Sequence, residues 1–304
     1  MRVDFVKAVR QVLAEDLEGV FLSGDLGFNA LEELAKESGK RFINAGVAEQ
    51  GMMGLAAGLA LAGKRPWVYS IAPFATYRCL EQIRNDVCFH NLPVRIVGNG
   101  GGFTYGIMGS THHALEDIAV LKALPNITLF FPCSNDHVAA AVTQIRSLPG
   151  PAYLRLSFSG FNTAVAPLDE NAQSLTRRYL RGQRWTVVGM GHGVQVALAA
   201  IAHHNLAAED VDVFGVARFP FRLADDEELC LSVQRTRRVL VVEEHYLAGS
   251  LAESLKMALG PVERFEVMCP SYSLDQRYGS PRFHLEQSGV TPARLVSLVR
   301  REGR

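Results

Sequence analysis

Three short stretches of the chain combine residue types that could do chemistry: Gly46-Val-Ala-Glu49-Gln, Phe74-Ala-Thr-Tyr77, and Gly109-Ser-Thr-His112-His113-Ala-Leu-Glu116-Asp117. A carboxylate in the first turn of an otherwise apolar helix, as Glu49 would be, is either a partner of the helix dipole or, once desolvated and oriented, a general acid or base. Phe74 and Tyr77 either fill a core or offer ring faces to a flat ligand. His112 is either a satisfied interior histidine or a group that moves a proton and donates to developing negative charge. Taken singly, each stretch leaves both readings open. Their placement links them, because in a parallel sheet all three would lie beyond the carboxyl ends of strands, where open α/β sheets bind ligands.

The elements that must position them follow from hydrophobic period. Apolar residues recur at helical spacing from Val3 to Leu17, and Val20-Phe-Leu is a short strand ending in the turn Ser23-Gly-Asp25-Leu-Gly. Val47 to Gly63 is predicted as a helix rich in small residues, able to approach another backbone closely and stopped by Gly63. Strand-like runs at Trp67–Ile71, Val94–Gly98, Ile127–Phe131 and Ala152–Leu156 alternate with helical segments at about 78–90, 114–123 and 135–146. Strands alternating with helices predict βαβ units and a mostly parallel sheet, an α/β fold. This first domain is expected over 1–162. A polar stretch over 163–184 reads as a linker, and a second α/β unit is expected over 185–304. It carries strands from Trp185, Val211 and Arg238 and helices at about 193–204 and 249–259.

Composition excludes several classes. The 31 basic residues balance 31 acidic ones, so no charge excess offers a track for a nucleic-acid backbone. The densest basic run, Arg235 to Arg238, reads as solvated surface. No stretch is long and apolar enough for a membrane span, and no cleavable leader is visible at Met1, so a cytoplasmic location is expected. The cysteines at 79, 88, 133, 230 and 269 form no Cys-x-x-Cys pair and have no histidine at metal-ligand spacing, so they read as buried thiols and no metal site is expected. Gly189-Met-Gly-His192-Gly is a glycine-rich turn without a full dinucleotide fingerprint.

In order along the chain, Phe42-Ile-Asn-Ala-Gly-Val-Ala-Glu49-Gln-Gly-Met-Met-Gly-Leu-Ala-Ala-Gly-Leu-Ala, Thr111-His112-x-x-Leu-Glu-Asp and Leu124-Pro-Asn-Ile resemble the pyrimidine-binding domain of transketolases. The second unit resembles, more loosely, that family's C-terminal α/β domain. The resemblance implies a subunit transferring a two-carbon ketol unit from a ketose to an aldehyde through a thiamine diphosphate adduct. It implies that Glu49 hydrogen-bonds the remote ring nitrogen of the cofactor's aminopyrimidine, that Phe74 and Tyr77 pack against that ring, and that His112 faces the reacting carbonyl. Asp25 stands where the family has an aspartate near the cofactor and the subunit contact, although as an isolated residue it reads equally as a turn cap.

Family members carry a Gly-Asp-Gly motif and a later Asn that hold Mg2+ and the diphosphate, and this sequence contains no Gly-Asp-Gly. The resemblance therefore implies a separate N-terminal subunit carrying that motif and most of the Mg2+ site, in a heterotetramer with two copies of each chain. The substrate side departs from the family: Ile107 and Met108 stand where an acidic residue is usual, and Ser157 or Phe158 where an arginine would hold a substrate phosphate. Arg155 falls on the strand itself. These departures point to an unusual, sugar-like small-molecule substrate. Alternatives are a deoxyxylulose-phosphate synthase-like enzyme, the beta subunit of a 2-oxoacid dehydrogenase, and a scaffold subunit without chemistry. Roles for His113, His192 and His245 stay open.

Overall fold

The computed structural model describes residues 1–158, 165–168, 176–272 and 277–301. In chain order the strands are β1 (Gly19–Ser23), β2 (Phe42–Asn44), β3 (Arg65–Ile71), β4 (Arg95–Gly101), β5 (Thr128–Phe130), β6 (Ala152–Ser157), β7 (Thr176–Leu180), β8 (Trp185–Met190), β9 (Val211–Val216), β10 (Arg218–Phe219), β11 (Arg238–Val242) and β12 (Arg264–Met268). They form two sheets, ordered β10-β5-β6-β4-β3-β1-β2 and β12-β11-β8-β9-β7. Pairing is parallel except where β10 meets β5 and β7 meets β9. β1, β4, β8 and β9 are buried along their whole length, as strands covered on both faces must be; most of their residues are apolar or glycine, although β4 also buries Arg95 and Asn99 and β9 buries Asp212.

The two units are joined by more than a tether. β10 leaves the second unit and closes the edge of the first sheet, Arg218 opposite Phe130 and Phe219 opposite Leu129, covering an edge that would otherwise invite pairing with another chain. One core cluster runs from Leu129, Phe131 and Tyr153 to Val188, Met190, Phe214 and Val216.

Some expectations differ from what the chain does. The stretch expected as linker contains β7, whose Arg178 reaches the buried Asp212 on β9 with 2.8 and 2.6 Å bonds; its Thr-Arg-Arg-Tyr-Leu sequence hides a strand behind charge. Residues 163–164 and 169–175 of that stretch lie outside the described residues. Arg235, expected in solvent, also bonds Asp212. The segment expected as a helix over 78–90 is helical from Leu80 to Cys88, α-helical at Leu80–Gln82 and π-helical over Ile83–Cys88.

The small-residue helix runs from Glu49 to Leu61 and stops before Gly63, which takes φ +83°. Its inner face buries Met52, Met53, Ala56, Ala57 and Ala60. The glycines are not used within this chain: a Cβ at Gly51, Gly54 or Gly58 would meet nothing within 4 Å. The Gly189–Gly193 turn is a packing device, since a Cβ on Gly189 would stand 2.3 Å from Val194. Cys79, Cys88 and Cys133 are buried, and Cys230 and Cys269 are half-buried. Among the described residues no helix is long and apolar enough to cross a membrane.

Candidate active site

Glu49 is placed by a tight turn. The Asn44 side chain accepts from the Gly46 N–H at 2.9 Å, and Gly46 adopts φ +70°, a conformation costly for any residue with a Cβ. The chain thus turns off β2 into the helix with Glu49 as its first residue. The carboxylate is driven inward, 2% exposed, and Oε2 accepts from Arg78 Nη1 at 2.7 Å. Its other oxygen faces Ser70 Oγ on β3 at 3.4 Å. Arg78 also lies flat on Phe74, its guanidinium carbon 4.3 Å from the ring centroid, a cation–π contact. The edge of Phe74 meets His112, with ring centroids 5.0 Å apart. Glu49, Phe74 and His112, predicted from separate stretches, therefore form one continuous chain of contacts beyond the ends of β2, β3 and β4.

His112 Nδ1 lies 3.0 Å from Thr111 Oγ1. Burial, and secondarily the charge of Arg78, hold His112 below its ordinary value of 6.5, so the imidazole is neutral at physiological pH. A proton accepted by neutral His112 during turnover gives a simple expectation. In kcat/KM against pH the limb due to His112 lies below pH 6.5, activity falling as acid charges the ring, and His112→Asn removes that limb. A limb above neutrality that survives His112→Asn would exclude the assignment.

Tyr77 follows Phe74 by one turn but is engaged elsewhere. Its hydroxyl donates to Glu116 Oε2 at 2.9 Å and accepts from the Glu116 N–H at 3.1 Å, and burial raises its pKa far above the ordinary range. It lines a cavity of about 220 Å³ with Pro73, Ser110, Thr111, His113, Glu116 and Tyr246. Asp25 is exposed in the turn after β1, at φ +55°, and its carboxylate accepts from Asn44 Nδ2 at 2.8 Å. It thereby braces the turn that delivers Glu49.

The other histidines divide in role. His113 packs edge-on to Phe103 and His284, centroids 5.0 and 4.7 Å away, in the wall between the Tyr77 cavity and a smaller neighbour. His245 is fully buried and neutral, pushed down to about 4 by burial; its Nδ1 is 2.6 Å from the Tyr246 carbonyl and its Nε2 accepts from Ala119 N–H at 3.3 Å. It ties the two units together. His192, also pushed down to about 4 by burial, lies in the packed glycine turn of the second unit. Sequence reasoning missed Arg78 and Ser70, and gave Glu116 no role of its own within its stretch; of these, Arg78 had a usable signal, a cation next to an aromatic pair.

The residues fit an aminopyrimidine. A buried carboxylate oxygen and an aromatic face already accept a flat, nitrogen-bearing donor in the form of the Arg78 guanidinium. Residues 1–161 match the model of the transketolase pyrimidine binding domain, and residues 176–271 that of the transketolase C-terminal domain. The chain belongs to the transketolase family. This is a family of thiamine-diphosphate-dependent transferases. One of the subunits of the apulose-4-phosphate transketolase of Phocaeicola vulgatus is 30% identical over 259 residues, 82% of this chain and 80% of that one. A solved split-gene transketolase, an inactive beta4 tetramer, superposes with TM-score 0.80 at 28% identity, covering 97% of this chain and 95% of that chain. The 1-deoxy-D-xylulose-5-phosphate synthase of Pelotomaculum thermopropionicum is 30% identical across 90% of this chain but only 43% of its own length. Transketolase-type domains thus account for both units seen in the fold.

Proposed function

We propose that this chain is the pyrimidine-binding subunit of a two-chain transketolase, transferring a two-carbon ketol unit from a ketose to an aldehyde. The observation that carries the reading is Glu49, buried at a helix mouth, its carboxylate bonded to a guanidinium that lies flat on Phe74. Thiamine diphosphate, when bound, supplies the electron sink for cleaving the carbon–carbon bond. Glu49 would hold the pyrimidine ring by its remote nitrogen, and the Phe74 face would pack against it. His112, neutral and next to Phe74, takes and returns the proton of the substrate hydroxyl. Tyr77 supports the site by fixing Glu116 and, through it, the stretch that carries His112. Asp25 acts on the cofactor through the Asn44 turn.

Mg2+ and the diphosphate are assigned to an N-terminal partner carrying Gly-Asp-Gly and Asn, since this sequence has no such string. The Phocaeicola relative is itself one subunit of a transketolase, which supports a two-chain enzyme. So does the outward face of the Glu49–Leu61 helix, where three glycines open to solvent beside Leu55 and Leu61, 43% and 69% exposed. Small residues beside exposed apolar ones suit a closely packed chain–chain contact, here with the partner or a second copy in a heterotetramer.

The rim near His112 is apolar. Ile107, Met108, Phe158 and Tyr278 are 66%, 49%, 55% and 70% exposed. Their loops are tied together: Phe158 N–H donates to Thr104 Oγ1 at 2.9 Å and Gly279 N–H to the Gly106 carbonyl at 3.2 Å. Ile107, Met108 and Phe158 offer a phosphate neither charge nor donor, Tyr278 offers only a neutral hydroxyl, and Arg155 is spent inside the fold. An unphosphorylated substrate is therefore expected to turn over better. With chain, partner, Mg2+ and cofactor combined, unphosphorylated ketose donors should exceed their phosphorylated counterparts in kcat/KM by about tenfold, the scale of one lost charged hydrogen bond. A strong preference for the phosphorylated ketose would reject the substrate assignment. Carbon dioxide release from pyruvate would instead favour the synthase-like activity, and no turnover of any donor the scaffold reading.

A further inference from the structure

Arg78 has no place in the chemistry above, yet it makes the two contacts assigned to the aminopyrimidine. Its guanidinium is flat, lies 4.3 Å over the Phe74 centroid, and donates to Glu49 Oε2 at 2.7 Å. Glu49 Oε1 is turned toward Ser70, leaving Oε2 as the oxygen held by the guanidinium. A pyrimidine and the guanidinium cannot both cover Phe74 and bond that oxygen.

We propose that Arg78 is an internal placeholder for the cofactor ring: in the cofactor-free chain it fills the pyrimidine slot, and thiamine diphosphate binds only as Arg78 swings out. The proposal rests on the pyrimidine-site reading of Glu49 and Phe74. Its physical basis is the cost of a buried, unpaired carboxylate, which is high when a partner is removed. A subunit awaiting both cofactor and partner would hold Glu49 in that state, and Arg78 relieves it. The arginine can leave when a ring takes its place, because its side chain is 45% exposed and regains water while the incoming ring keeps the Glu49 carboxylate partnered. Arg78 is thus a positioning residue that sets the fraction of molecules open to the cofactor, and apparent affinity scales with that fraction.

The test is equilibrium binding of thiamine diphosphate with Mg2+ to the reconstituted two-chain protein, followed by calorimetry. Wild type is compared with Arg78→Gln, Arg78→Lys, Glu49→Gln and the double variant R78Q/E49Q. Freeing the slot should tighten binding about three- to tenfold in Arg78→Gln, in line with a competent fraction of about a third to a tenth in the wild type. Arg78→Lys, which keeps the charge but cannot lie flat on a ring, should gain less. In the Glu49→Gln background the gain should vanish, because the amide no longer retains the guanidinium. Weaker or unchanged binding in Arg78→Gln overturns the placeholder, as does a gain that persists without the Glu49 charge. Should Glu49→Gln bind cofactor as the wild type does, the pyrimidine-site reading itself fails, a result separate from either of these.

Discussion

Glu49→Gln is expected to lower kcat of the reconstituted enzyme by about 10²- to 10⁴-fold at saturating cofactor, the range for losing a positioned proton-transfer group. The amide keeps the size and one acceptor oxygen of the carboxylate but cannot carry its charge or share a proton with a ring nitrogen. The fold should hardly notice. Gln removes the buried charge itself, so no unpaired carboxylate is left inside, and the change should cost about 1 kcal/mol, the scale of one hydrogen bond. Steady-state kinetics with the cofactor raised until the rate no longer changes, together with a melting curve, separates the two effects. Retention of kcat within about threefold, on the tenfold-per-1.4 kcal/mol scale, would sink the assignment of Glu49 as the group acting on the pyrimidine.

How far the sequence reaches toward this site depends on whether a residue's role is local. The Glu49 helix was legible because its apolar period, its closing glycine and the turn ahead of it are all consecutive in the chain. Buried strands such as β4 and β8 were legible because burial on both faces favours β-branched apolar residues at their centres, Ile96-Val97 in one and Val187-Val188 in the other. β7 and β12, the edges of the second sheet, were missed because charged residues interrupt their apolar pattern: Arg177 and Arg178 on one, Arg264 and Glu266 on the other. β10 is two residues long, too short for any period to register.

Within the site, the convergence of Glu49, Phe74 and His112 could be anticipated from their common position after strands. The partnership of Arg78 with Glu49 could not, because 29 positions of sequence separate the two and only the sheet order brings β2 and β3 close enough, across β1. Tyr77 has a second engagement of the same kind: one helical turn after Phe74, it reads as the second face of a clamp, and its hydroxyl is bonded to Glu116. A carboxylate 39 residues away leaves no local trace in the pattern around Tyr77.

Arg155 is where the sequence suggested a displaced substrate group and the fold uses an internal brace. Its side chain is 3% exposed and pairs with the fully buried Asp117 at 3.2 Å. It also donates to the carbonyls of Ala114 at 3.2 Å and Glu244 at 2.7 Å. Tyr153 donates to the other Asp117 oxygen at 2.6 Å. One side chain on β6 thus joins the stretch carrying His112 to the segment after β11 in the second unit. The neighbouring backbone is fitted to it, for a Cβ on Gly101 would stand 2.1 Å from Arg155 Nε.

Arg155→Met is accordingly expected to destabilise the chain by about 3–5 kcal/mol, the cost of removing one member of a buried ion pair. Methionine replaces the apolar stem but leaves Asp117 charged in the interior and two carbonyls without their donor. The loss should grow with pH. Burial pushes Glu244 up to about 7, and Arg155 opposes that shift. A carboxyl raised in the folded state contributes stability below its ordinary 4.5 that is lost as pH climbs through the folded value. Without Arg155 that value moves higher, so the penalty continues to accumulate above pH 7. Urea denaturation at pH 5.5 and pH 8 should show the larger deficit at pH 8. Adding Asp117→Leu should recover part of it, since a pair replaced on both sides leaves no orphaned charge. A deficit under about 1 kcal/mol, the scale of a solvated pair, or a double variant worse than Arg155→Met by the full cost of each change, would mean that the brace does not hold the two units together.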